Sequence, residues 1–103
     1  MNSISWTPFA FRCLDEIHQY ILDESKSKRV ADNFIERIYQ RTNQLKEFPE
    51  SGQEEFILKE NGRNARYILE GFYKIVYTNQ AHKNEVIIID IFHTSQDPIK
   101  LTK

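Results

Sequence analysis

Apolar residues in the first half of the chain recur at helical spacing. A short alternating segment at residues 2–6 ends in Ile4 and Trp6, and Thr7-Pro8 then supplies an N-cap with proline at the first helical position, predicting a helix from about residue 8. Ala10, Leu14, Ile17, Ile21 and Leu22 form its apolar stripe. Phe9, Cys13 and Tyr20 widen that stripe, while Asp15, Glu16, Gln19 and Asp23 lie mostly outside it. The polar run Glu24-Ser25-Lys26-Ser27-Lys28 interrupts the pattern and offers caps for a second helix. Its apolar positions are Ala31, Phe34, Ile35, Ile38, Leu45 and Phe48, and Pro49 and Gly52 end it. So short a connection makes the two helices antiparallel neighbours with a shared apolar seam.

After Gly52 the period falls from about 3.6 to about 2. Phe56-Ile57-Leu58, Tyr67-Ile68-Leu69, Phe72 to Thr78 and Val86 to Phe92 read as strands, punctuated by Asn61-Gly62, Gly71 and residues 79–84. Gly71 predicts a hairpin between Ala65–Glu70 and Phe72–Thr78, and Asn79–Asn84 joins the latter to the last strand in a second hairpin. The helix pair needs an apolar surface to cover, and one face of this sheet is the only comparable one. The expected fold is therefore α+β, in the order β-α-α-β-β-β-β, with a helical hairpin packed on one face of a mainly antiparallel sheet. Residues 1–103 form a single domain.

Composition narrows the functional classes. Fourteen basic against fifteen acidic side chains give a net charge of −1, balanced between the two halves, so no global field draws the chain to nucleic acid or anionic lipid. The single cysteine, Cys13, excludes an intrachain disulfide. The start lacks the basic and apolar runs of a signal peptide, and the longest apolar stretch, Val86 to Ile89, falls far below the roughly 20 residues of a membrane span. A cytoplasmic protein without membrane association is expected.

Three familiar chemistries find no support. His18, His82 and His93 are widely separated and Cys13 has no second thiol at ligand spacing, so no metal site is expected. There is no Gly-x-Ser-x-Gly turn, and Cys13 shares a helix face with Phe9 and Ile17, the setting of an inert buried thiol. Only Gly52, Gly62 and Gly71 occur, too few for a phosphate-cradling loop, and no cofactor is expected.

What remains is a polar set in the sheet half: Lys59, Arg63, Arg66, Tyr73, Lys74, Tyr77 and His93. Strict alternation from Phe72 places Lys74 with Val76 and Thr78 on one face and Tyr73, Ile75 and Tyr77 on the other. Lys74 then points to solvent on the uncovered face or to a ligand. Arg66 is expected beside Lys74 across the hairpin, a cationic pair suited to phosphates or acidic partners. Asp90, in an otherwise apolar strand, is expected on the open face or paired with Lys74.

Several runs, taken together, carry a resemblance. They are Ser5-Trp6-Thr7-Pro8 with Ala10; Leu14-x-x-Ile17-x-x-Tyr20-Ile21; Ala31-x-x-Phe34-Ile35-x-x-Ile38; Leu45-x-x-Phe48-Pro49-x-x-Gly52; Arg66; Gly71-x-Tyr73-Lys74-Ile75-x-Tyr77; and Val86-x-Ile88 with His93 and Asp97-Pro98. In this order they resemble the RelE/ParE toxin family over nearly the whole chain. The most specific pieces are the Phe-Pro-x-x-Gly helix end and the Tyr-Lys-Ile-x-Tyr strand.

The resemblance implies the toxin of a bacterial type II toxin-antitoxin pair, with a small cognate antitoxin as partner and a toxin-antitoxin heterotetramer as a possible assembly. RelE-like members cut mRNA on the ribosome, whereas ParE-like members are not nucleases and inhibit DNA gyrase. A ribonuclease must stabilise charge at phosphorus and move a proton, which calls for clustered cations beside a titratable group. Here Arg66, Lys74, Tyr77 and His93 are the minimal candidates. The chain is slightly acidic, and His93-Thr94-Ser95-Gln96-Asp97 lacks the basic residues many relatives carry after the last strand. The long helical hairpin and the Trp6-Thr7-Pro8 start look more like the ParE branch. The expectation is a gyrase inhibitor with no catalytic residues and target contacts at Arg66, Lys74, His93, Ser95 and Gln96. The alternatives are the ribosome-dependent nuclease and a non-toxic interaction module on the same fold.

Overall fold

The computed structural model describes residues 1–54 and 65–96. Strand β1 (Ser3–Trp6) leads into α1 (Pro8–Ser25) and α2 (Lys28–Asn43), and a 3-10 turn (Gln44–Lys46) follows. Strands β2 (Gln53–Glu54), β3 (Ala65–Glu70), β4 (Tyr73–Gln80) and β5 (Glu85–His93) complete the sheet, with further 3-10 turns at Ala81–Lys83 and Thr94–Gln96. The expected strand at Phe56-Ile57-Leu58, the Asn61-Gly62 turn, Lys59, Arg63 and Asp97-Pro98 lie outside the described residues.

The helix boundaries have local causes. The Thr7 hydroxyl accepts a hydrogen bond from the Ala10 amide at 3.1 Å, and Pro8 occupies the first helical turn, where its missing N–H costs nothing. α1 stops when Lys26 turns left-handed (φ 56°) and returns its N–H to the Leu22 carbonyl at 2.8 Å. Ser27 then caps α2 by accepting from the Val30 amide at 3.2 Å. Two residues thus reverse the chain. His18 of α1 meets Asp32 of α2 at 2.7 Å across the seam, and Lys28 joins the same carboxylate.

The five strands run in the order β1-β5-β4-β3-β2, forming a mixed sheet. Three pairings are antiparallel, and β1 alone pairs parallel, with β5. One face carries Ile68, Ile75, Tyr77, Val86, Ile88 and Ile91 into a core completed by Ala10, Leu14 and Ile17 of α1 and Phe34 and Ile38 of α2. Trp6 stacks on Phe11 and meets Tyr39 edge-on, at 5.7 and 5.3 Å between ring centroids, which joins β1, α1 and α2.

Two expectations about the helices need correction. α2 ends at Asn43 rather than continuing to Pro49, so Leu45, fully buried, lies in the following 3-10 turn, and Phe48 is 63% exposed instead of facing the seam. Phe9 and Tyr20 of α1 are also exposed: the apolar stripe is narrower than a pattern counting every aromatic suggests, because only one side of the helix meets α2 and β5.

Candidate functional site

The two most specific sequence motifs meet in space. Tyr77 is fully buried on the helix side of β4, and its phenol donates to the Pro49 carbonyl at 2.8 Å while accepting from the Gly52 amide at 3.0 Å. Burial pushes the Tyr77 hydroxyl above its ordinary value of 10.0, while the Gly52 N–H and the neighbouring Arg66 charge pull it down. Arg66, directly opposite Tyr77 in the β3–β4 ladder, donates to the Gly52 carbonyl at 2.9 Å. Both backbone groups of Gly52 are therefore tied to the sheet. The Phe-Pro-x-x-Gly helix end and the last tyrosine of the Tyr-Lys-Ile-x-Tyr strand are two halves of one clamp, which leads the chain out of the helices and onto the sheet edge.

Arg66 does not stand beside Lys74. The turn at Gly71-Phe72 pairs Leu69 with Lys74 and Arg66 with Tyr77, so the two cations lie on opposite faces of the sheet. Lys74 is only 9% exposed, its ammonium 4.2 Å from the Tyr67 ring centroid and 6.0 Å from that of Phe92. Ala65 and Val76 on the same face are also buried, so the far side is not the open gripping surface expected around Lys74. Flanking rings shield a lysine that alternation alone would send to solvent.

His93 lies at the other end of the sheet. It pairs with Tyr73, four residues from Tyr77 on β4, or about 13 Å along the strand. Its Nδ1 accepts the Ser95 backbone N–H at 3.1 Å and lies 2.8 Å from the Ser95 hydroxyl, which leaves the proton of the neutral ring on Nε2. The ring stacks on Phe72, which is 73% exposed, and meets Tyr73 edge-on. Ser95 and Gln96 complete the short 3-10 turn after β5. Of the five residues expected to form a target surface, His93 and Ser95 meet, the backbone of Gln96 follows in the same turn, and Arg66 and Lys74 stand apart.

Asp90 takes neither expected role. A bulge in β5 leaves Ile89 without a partner between Asp90, opposite Val76, and Ile88, opposite Tyr77. Just beyond it, the Asp90 carboxylate lies 3.7 Å from the Cys13 sulfur on α1, not against Lys74. Burial is the main reason the Asp90 pKa rises above 3.8, and the Cys13 thiol and the Ile91 amide oppose it. Burial, then the adjacent Asp90 charge, raises the Cys13 thiol in turn, so the thiol stays protonated and inert at neutral pH. Carrying the alternation of buried Val86 and Ile88 two residues further would place Asp90 on the helix side, where Cys13 lies.

The raised carboxylate has a testable sign. A native state that holds this proton more tightly than the unfolded chain loses stability as pH rises through 3.8 towards the folded pKa and does not regain it above. Asp90→Asn keeps an oxygen for the thiol and removes the charge. The variant is expected to melt above the wild type at neutral pH, with the advantage vanishing near pH ~3. Thermal melts across that range check it.

Among the described residues, no group of three or more histidine, cysteine or acidic side chains could hold a metal ion. No helix among them is long and apolar enough to cross a membrane. Among curated proteins, none matches the sequence. A solved chain titled "Chromosomal ParDE TA system from P. aeruginosa" shares the fold, with a TM-score of 0.71 at 20% identity over 90% of this chain and 96% of that one. The sequence also matches the family described as "ParE toxin of type II toxin-antitoxin system, parDE" over residues 4–98. That span takes in β1 from Ile4, both helices, the Tyr77 clamp and the His93 turn, and on it this chain belongs to the ParE toxin family of type II toxin-antitoxin systems.

Proposed function

We propose that this chain inhibits DNA gyrase by binding, without chemistry of its own, and is neutralised by a cognate antitoxin. The observation that supports a binder over a nuclease is the dispersal of the four groups a nuclease would need. Arg66 and Tyr77 are engaged at Gly52 and Pro49, Lys74 is on the opposite face, and His93 is at the far end of β4. Groups so placed are not gathered around one point, which supports binding over cleavage of a phosphodiester. Family membership supports the gyrase and antitoxin assignments.

The contact surface we assign is the end of β5, where exposed Phe72 stacks on His93 beside Ser95, with Gln96 next in the backbone turn. An exposed aromatic pair with polar neighbours is the composition that anchors protein interfaces. Arg66 and Lys74, proposed as contacts from the sequence, are better explained by the clamp and by the Tyr67–Phe92 enclosure.

Purified gyrase provides the test. Supercoiling is expected to fall at near-stoichiometric toxin and to recover when the product of an adjacent small reading frame is added. Full supercoiling in excess toxin, together with cleaved message in a translation extract, would assign the nuclease instead.

A further inference from the structure

The parallel ladder of β1 with β5 stops at Trp6–Ile88, where Thr7 and Pro8 turn the chain into α1. Residues 89–93 of β5 therefore have β4 on one side and α1, rather than a strand, on the other. A groove of about 370 Å³ opens in this notch. Its walls include Cys13, Glu16 and Tyr20 of α1, with Tyr73, Ile91 and His93 from the sheet. Asp90, half-buried, lies against Cys13 at its edge.

Exposed Glu16 is the carboxylate that lines the groove, His93 its imidazole, and the half-buried carboxylate is that of Asp90 at the edge. The ion pairs among the described residues are His18–Asp32, Lys28–Asp32 and Arg37–Glu70, so neither Glu16 nor Asp90 has a cationic partner within them. Besides His18, which faces Asp32, the basic residue of α1 is Arg12, which lies over the Phe9 ring at 5.8 Å. A partly desolvated carboxylate without a counter-charge is unfavourable in the free protein and is relieved by a cation brought from outside. Two tyrosine rings in the same groove give a planar cation faces to stack on.

We propose that this groove receives an arginine side chain presented by a protein partner, with Glu16 and Asp90 supplying the counter-charge and Tyr20 and Tyr73 flanking the guanidinium. The proposal rests on reading this end of β5 as a contact surface, and adds the chemistry its partner must carry. Arginine fits better than lysine because a flat, weakly hydrated guanidinium can stack and pair at once, whereas an ammonium stays hydrated. The groove is large enough for one such side chain with its aliphatic stem, which Ile17 and Ile91 would cover.

The test uses the full chain, labelled with nitrogen-15, and the blocked peptide acetyl-Gly-Val-Arg-Val-Gly-amide. Counterparts carry citrulline or glutamate at the central position. The arginine peptide is expected to shift the amides of Cys13, Ile17, Ile91 and His93 and to saturate, with both counterparts about tenfold weaker. Glu16→Gln and Asp90→Asn should each weaken it about threefold or more. Because Asp90→Asn is expected to be the more stable protein at neutral pH, lost binding there would not reflect misfolding. Equal binding of the citrulline peptide would make the groove merely apolar and overturn the proposal, as would indifference to both substitutions, shifts confined elsewhere, or no shifts at all. Neither antitoxin nor gyrase is in the sample, so such a failure would leave the supercoiling result standing.

Discussion

Gly52→Ala is expected to cost about 3 kcal/mol of stability, because the added carbon has nowhere to go. An ideal Cβ on Gly52 falls 2.6 Å from the Tyr77 hydroxyl, 2.7 Å from the Tyr67 carbonyl oxygen and 2.8 Å from the Tyr77 ring. A flexible side-chain tip could swing aside, but the Tyr67 oxygen is backbone of β3 and the Tyr77 ring is fully buried. Relief must come from moving residues 49–52 off the sheet, which stretches the hydrogen bonds from Gly52 N–H to Tyr77 and from Arg66 to the Gly52 carbonyl. For a domain of this size that loss lowers the melting temperature by roughly 15 °C. A variant melting within about 4 °C of the wild type would mean that the clamp is loose.

Tyr77→Ala is expected to cost about 4 kcal/mol, since it removes the largest of the fully buried side chains and both hydrogen bonds at once. Tyr77→Phe separates the contributions. It keeps the ring and deprives the Pro49 carbonyl and the Gly52 amide of their shared partner, for a loss of about 2 kcal/mol. The two sites are coupled, so their effects should not add. In a Tyr77→Phe background the hydroxyl no longer meets the new methyl of Gly52→Ala, although the Tyr67 oxygen and the retained ring carbon still do. The double variant should therefore be more stable than the sum of the single losses implies. Urea unfolding of the four proteins measures this directly.

The helical hairpin was legible because each of its causes is local. Thr7-Pro8 and Ser27 start the helices, and Leu14, Ile17, Phe34 and Ile38 share one apolar seam. Strands β3, β4 and β5 were legible from their period, whereas β2 was not. Which residues meet across them was not, because register depends on turn length. Treating Gly71 alone as the turn suggested a strand from Phe72, whereas Gly71 (φ +58°) and Phe72 together form it and the strand begins at Tyr73. A two-residue turn fixes Arg66 opposite Tyr77 and thereby separates it from Lys74, an inference available from the hairpin rules.

Other features had no sequence signal. Nothing in Val86 to Phe92 marks Ile89 as a bulge, so the pairing of Asp90 with Val76 could not be read. The parallel return of β1 onto β5 spans some eighty positions and follows from where the helices leave room. The clamp was half visible. Both motifs stood out in the chain, but that one exists to satisfy the other is a fact of three dimensions, and it gives Arg66 and Tyr77 a part in holding the fold together.

The junction where β1, α1 and α2 meet also contains the chain's single tryptophan. Its emission is a natural gauge of folding, since separating Phe11 and Tyr39 from the indole wets a fluorophore that the native state partly shelters. Trp6 does not line the notch between α1 and β5. One sample can accordingly report denaturation through its ultraviolet light and ligand capture through its amide resonances, without an attached dye.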